Sequence, residues 1–238
     1  MIRKTLPLGK PLQLLELLGI FTVGGVAILI GTATFGTDTV ASIGSIWAAN
    51  LLMLAAIYAG LRYRGQRWSH LGLHLGVPGW KSISIVVLKS LPVFAAAILA
   101  FAAGAVLMAI LLGRPESADM SKYNYLQGNL AMTVVALGSV YVVSAFAEEL
   151  IYRGFLITRV RELAQDEKSV RGFAVVFSSL VFGLIHSDWG LAGMVQATCM
   201  GLALGASYLF VRRNLWVLIL AHAYMDTILV LQMYFGPA

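Results

Sequence analysis

Apolar positions fall in long blocks separated by short polar segments. The apolar runs extend from about Leu12 to Ile30, Val40 to Leu61, Ser82 to Leu112, Leu130 to Leu163, Phe173 to His186, Leu191 to Val211 and Leu215 to Phe235. An α-helix needs about 20 apolar residues to cross a hydrocarbon core. In lipid only helices and closed barrels satisfy their own backbone polar groups. The pattern therefore predicts an all-α, polytopic transmembrane helical bundle of about seven spans. The first run is too long for the apolar part of a signal peptide and reads as an uncleaved span, with Glu16 near the interface. Ser82–Leu112 exceeds what a bilayer requires, so it is tilted or begins at the surface. Lys89 near its start can snorkel to the headgroups, and Pro92 is placed to kink it. Phe173–His186 is short for a span.

Composition agrees with that pattern and narrows it. Hydrophobic residues make up 59% of the chain and charged residues 12%, and the mean hydropathy is +0.84. Those values are far from a soluble average and leave no room for a soluble domain. The net charge of +6 sits in the loops. Lys and Arg number three before the first run, then zero, four, two, four, zero and two in successive loops and polar helix ends, and none in the C-terminal tail. By the positive-inside rule the N-terminus is cytoplasmic and the C-terminus lies on the opposite side. No basic run with interleaved aromatics lies in a polar region, so nucleic acid is not an expected partner. The single cysteine, Cys199, excludes an internal disulfide and a thiolate-rich metal site. It reads as a packing residue.

The fourth run contains AFAEELIYR, Ala145 to Arg153. Ionisable groups in such a run are costly and are functional candidates by default. Glu149 and Arg153 stand i,i+4 with the acid first, the favourable order for an ion pair. Glu148 lies about 100° around the helix. One acid is therefore expected to be held by the arginine while the other is left for chemistry. A neutralised structural cluster is the competing reading. His186 and His222 lie in two further apolar runs, and Asp226 follows His222 by four residues, on the same helix face. Carboxylates and imidazoles gathered from three helices are the parts that hydrolysis by water needs. A carboxylate can take a proton from water, an imidazole can hold that water, and a second imidazole can stabilise an oxyanion. His70 and His74 are also i,i+4, but the surrounding composition fits an interfacial loop anchored by Trp68 and Trp80. Gly201 and Gly205 form a small-xxx-small pair suited to helix packing. There is no HExxH sequence, the signature of zinc-helix proteases.

Three stretches, in order, resemble the CPBP family of intramembrane proteases, which includes CAAX prenyl endopeptidases and bacterial Abi-type proteins. They are EExxxR at Glu148, Glu149 and Arg153, FxxxH at Phe182 and His186, and HxxxD at His222 and Asp226, where the family also has HxxxN. RGF at 153–155, Gly201-Leu202 and NLW at 214–216 are similar to further family positions. The resemblance covers about Val140 to Ile228. It divides the chain into 1–129, three spans with a basic cytoplasmic loop, and 130–238, a catalytic core of four spans.

The resemblance implies an intramembrane endopeptidase acting on a membrane-associated or lipidated protein or peptide. Glu148 is implied as general base and His186 as a holder of the attacking water. His222 and Asp226 would line the oxyanion site, with Glu149 and Arg153 shaping the cluster. An ionised Asp226 cannot donate a hydrogen bond to an oxyanion, so its role is open between orienting His222 and acting protonated. Zinc on Glu148, His186 and His222 is possible, although the CAAX branch implies a metal-free mechanism with no cofactor. A non-enzymatic immunity or scaffold protein that keeps the same fold is the alternative, and a proton-coupled transporter a more distant one.

Overall fold

A computed structural model describes residues 9–36, 38–76, 79–113, 118–165 and 168–236. Arg3, Lys4 and Arg114, which enter the loop-charge argument, lie outside those residues. Seven long helices follow in order: α1 (Lys10–Phe35), α2 (Thr39–Tyr63), α3 (Trp80–Leu112), α4 (Leu130–Leu163), α5 (Lys168–Leu184), α6 (Gly190–Phe210) and α7 (Leu215–Phe235). There is no strand among the described residues. Six of these helices are long and apolar enough to cross a membrane, α6 counted from Ser187. The chain is an integral, multi-pass membrane protein. Of the seven expected spans, the fifth falls short. α5 has 17 residues and a length of about 25 Å at 1.5 Å per residue. Its buried positions Ala174, Val175, Ser178, Ser179, Phe182 and Gly183 recur at helical spacing on one face, so it is amphipathic rather than uniformly apolar.

The core lies around α4, and the apolar outer faces belong to α1 and α3. Ile151, Phe155, Phe182, Leu204, Tyr208 and Leu218 are fully buried, whereas Leu15, Leu29, Leu88, Leu99, Ile110 and Leu111 are exposed. In a bilayer those exposed side chains meet lipid at no cost, so helix association rests on packing and polar contacts. α1 pairs with α2, α3 packs along α6 and α7, and α5 lies against α6. α2 and α7 both flank the middle of α4. Pro92 sits inside α3 without ending it.

Small residues set the helix approaches. A side chain built on Gly205 would meet Val175 Cγ1 at 2.9 Å, and one on Gly201 would meet Ser179 Cα at 3.1 Å. This bears out the packing role expected of that pair. On α3, a Cβ at Gly104 would stand 2.7 Å from Gln196 Cα, a backbone atom with little freedom to yield. Gly104→Ala should therefore wedge α3 from α6 at a cost of about 1–3 kcal/mol, as overpacking does. A lowered thermal midpoint of the purified protein in detergent, beside an unchanged Gly25→Ala control with open space at its Cβ, is the expected result.

The polar end of α4 is tied to the rest of the molecule by a partly buried ion network. Glu16 accepts from Arg64 at 2.8 Å and Arg159 at 3.2 Å. Both arginines also reach Glu162, at 3.0 and 2.8 Å, and His70 meets the same carboxylate. Arg159 is fully buried and Arg64 nearly so. Two of the cations counted as loop charges are therefore internal and neutralised. The interfacial loop also docks on the start of α7. Gly72, at φ 87°, offers its carbonyl to Leu215 N at 3.1 Å. A Cβ on Gly72 would collide with the Arg213 carbonyl, and its positive φ suits glycine. Asn214 caps α7 by accepting from Trp216 N, and Trp216 Nε1 donates to the His74 carbonyl at 3.0 Å.

Candidate active site

The site is built on an irregular stretch of α4. From Tyr141 to Leu156 the helix is π-helical, flanked by α-helical turns. π geometry is rare and recurs at functional sites. Two carbonyls in this stretch receive additional donors from neighbouring helices. Asn50 Nδ2 on α2 reaches the Val143 carbonyl at 3.4 Å, and Ser178 Oγ on α5 donates to the Tyr152 carbonyl at 2.8 Å. Helix α4 is thereby held from both sides at the point where its two acids project.

The acids diverge. Glu149 is fully buried and its Oε1 accepts from Arg153 Nη1 at 2.8 Å and from His222 Nδ1 at 2.8 Å. Arg153, also buried, lies over the Phe182 ring with its guanidinium carbon 4.2 Å from the centroid. A buried cation gains from a desolvated aromatic face. Glu148 makes no such pair. Its Oε2 is buried without a protein partner, and its side chain lines a cavity of about 660 Å³.

That cavity brings the other candidates together. His186, His222 and Asp226 line it with Glu148. His186 follows the end of α5, where its Nδ1 donates to the Phe182 carbonyl at 2.7 Å. A carbonyl can only accept, so Nδ1 carries a proton, and in the neutral ring Nε2 is then the acceptor. Trp189 packs on that ring edge-on at 4.5 Å, and Phe182 lies 4.7 Å away on α5. His222 presents Nε2 to Asp226 Oδ1 at 3.7 Å and to Ser144 Oγ at 3.5 Å. Asp226 Oδ2 is buried and unpartnered among protein groups, like Glu148 Oε2. Buried polar atoms nearly always find partners. Both residues that carry these oxygens, Glu148 and Asp226, line the one cavity.

Residues 130–228 resemble a known family. They match the family model described as type II CAAX prenyl endopeptidase Rce1-like. All six residues singled out in the sequence fall in this region. The chain is also similar to "Putative membrane peptidase YdiL" of Bacillus subtilis (strain 168), at 29% identity over 120 residues. That match covers 50% of this chain and 44% of the relative's length. No solved structure matches the chain.

Helices outside residues 130–228 also build the cavity. Phe21 and Ile28 from α1, Ile46, Asn50 and Met53 from α2, and Phe101 from α3 line it. Sequence reasoning did not place these residues at the site, because their apolar runs are indistinguishable from lipid-facing ones. It also passed over Ser144 and Tyr152. Both line the cavity and stand four residues before and after Glu148, a spacing that could have been noticed.

The metal question turns on the donor set. Among the described residues, no group of three or more His, Cys, Asp or Glu side chains is arranged to hold a metal ion. Glu148, His186 and His222, the set considered for zinc, do not form a ligand group as placed. A structural or catalytic zinc needs at least three converging protein donors. No chemical step is therefore assigned to a metal.

Proposed function

We propose that the protein is an intramembrane endopeptidase that hydrolyses peptide bonds of a membrane-associated substrate with water activated by Glu148. The observation that carries this reading is the single cavity shared by Glu148, His186, His222 and Asp226. Glu148 takes a proton from water while His186 Nε2 accepts that water's second hydrogen bond and orients it. The hydroxide adds to the scissile carbonyl carbon, and the C=O π electrons move to oxygen. His222 faces the resulting oxyanion, its ring fixed by Glu149, which Arg153 holds in turn. Hydrogen-bond donors aimed at a developing charge are worth most in such a water-poor site. Collapse of the intermediate breaks the C–N bond, and Glu148 returns its proton to the leaving amine.

The apolar lining contributed by α1, α2 and α7 supports an apolar or lipidated peptide as substrate. Loop charge supports a cytoplasmic N-terminus and a C-terminus on the opposite side. In that arrangement α5, at about 25 Å, ends short of the far surface of a hydrocarbon core of about 30 Å. The His186–Trp189 turn then lies within the membrane's depth. Irregular backbone is tolerated there because it lines a cavity.

The reading is tested by comparing peptide termini, by mass spectrometry, in membranes and medium from cells carrying the wild-type protein or Glu148→Ala. Termini that vanish in the variant identify the substrate. If the biological effect survives Glu148→Ala with no terminus lost, the non-enzymatic alternative replaces this one. Treatment with a strong zinc chelator should leave cleavage within about twofold, since catalysis is assigned to protein groups. Full loss rescued by added zinc would overturn the metal-free mechanism.

A further inference from the structure

We propose that the Ser144 hydroxyl is a catalytic hydrogen-bond donor in this site, serving the oxyanion that Asp226 cannot serve. The inference rests on the hydrolytic reading above. Ser144 projects from the π-helical stretch of α4 into the cavity shared with Glu148. Its Oγ lies 3.5 Å from His222 Nε2, the same nitrogen that stands 3.7 Å from Asp226 Oδ1. These contacts place a neutral O–H group beside His222 Nε2, in the cavity that Asp226 also lines.

The need for such a group follows from Asp226. An ionised carboxylate only accepts hydrogen bonds, so at this position it repels a developing oxyanion. Its better partner is the His222 ring, whose Nε2 stands 3.7 Å from Oδ1. With Glu149 on Nδ1 and Asp226 beside Nε2, the ring is flanked by acceptors at both ends. A hydroxyl, unlike a carboxylate, is a rotor with one proton and two lone pairs. Before substrate binds, its proton faces Asp226. When negative charge forms on the substrate oxygen, the proton turns to that oxygen, beside the Nε2–H that His222 directs there. The same contacts argue against Ser144 as a nucleophile. A nucleophilic serine needs an unprotonated Nε2 to take its proton, and the carboxylate beside Nε2 favours a proton there.

The test uses the full chain in membranes. Its readout is the rate at which wild-type-dependent peptide termini appear after an isotope pulse. Wild type is compared with Glu148→Gln, Ser144→Ala, Ser144→Thr and Ser144→Ala/Asp226→Asn, each checked for an unchanged thermal midpoint in detergent. Ser144→Ala should slow the reaction by about 10²–10³-fold, the usual loss for one oxyanion donor. Ser144→Thr keeps the hydroxyl and should retain most of the rate. Asn at 226 supplies a neutral amide donor, so the double variant should recover at least about tenfold over Ser144→Ala, close to what one neutral hydrogen bond provides. A folded Ser144→Ala protein within threefold of wild type, or a double variant no faster than Ser144→Ala, overturns the proposal. So does covalent labelling of Ser144 by a fluorophosphonate, which would make it a nucleophile. If Glu148→Gln cleaves normally, the hydrolytic reading itself fails. If Glu148→Gln is inactive while Ser144→Ala is not, only the inference about Ser144 fails.

Discussion

Glu148→Gln should leave a folded protein whose cleavage rate is lower by about 10²–10⁴-fold, the contribution of a positioned general base. The substitution keeps the side chain's size and removes its ability to take a proton. Glu148 makes no ion pair, in contrast to its neighbour, and one of its oxygens is unpartnered. Its replacement by Gln therefore removes no ion pair, and the thermal midpoint should stay within a degree or two of wild type or rise slightly. The measurement is a paired one: turnover from pulse-labelled peptide termini, and unfolding in detergent. Unchanged turnover in Glu148→Gln would remove the general base from the mechanism.

The opposite signature is expected at Glu149 and Arg153. Arg153→Met leaves the Glu149 carboxylate buried with His222 as its remaining partner. Removing one member of a buried ion pair costs about 3–5 kcal/mol, because the other charge stays desolvated. The protein should lose thermal stability and activity together, since Glu149 also fixes the His222 ring through the 2.8 Å bond to Nδ1. Glu149→Gln/Arg153→Met removes both charges and should recover much of the stability. It should not recover the activity, because Gln holds the ring without the negative charge that supports it. A double variant no more stable than Arg153→Met would show that the pair's worth lies in packing, for example in the guanidinium seated on Phe182 at 4.2 Å. The two experiments separate the acid that reacts from the acid that holds.

The ion network at the other end of α4 gives a contrast. Arg64, Arg159, Glu16 and Glu162 are as thoroughly paired as Glu149 and Arg153, yet none of them lines the cavity. Perturbing the network should therefore act on stability alone. Glu162→Gln weakens three contacts at once, to Arg64, Arg159 and His70, and is expected to lower the thermal midpoint while the turnover of the remaining folded protein stays near wild type.

Much of this protein was legible in its sequence. Apolar blocks long enough to cross a bilayer dictate helices, since no other open structure satisfies its backbone in lipid. Adjacent acids with an arginine four residues on, and a histidine in each of two later runs, mark a costly polar cluster in a medium that penalises it. Only the folded chain could decide which acid is free. Helical spacing shows that Glu148 and Glu149 point apart, but not that α7 brings His222 to Glu149 and leaves Glu148 facing the cavity. Spacing likewise could not reveal that Glu16 and Arg64 meet across 48 positions, that α5 stops short of a full span, or that α1 and α2 complete a wall of the cavity. The reason is physical. Local patterning reports the medium each residue prefers, and a buried face and a lipid face prefer the same residues. Which apolar face meets protein and which meets acyl chains, and therefore which polar groups share one pocket, is fixed only when the helices pack.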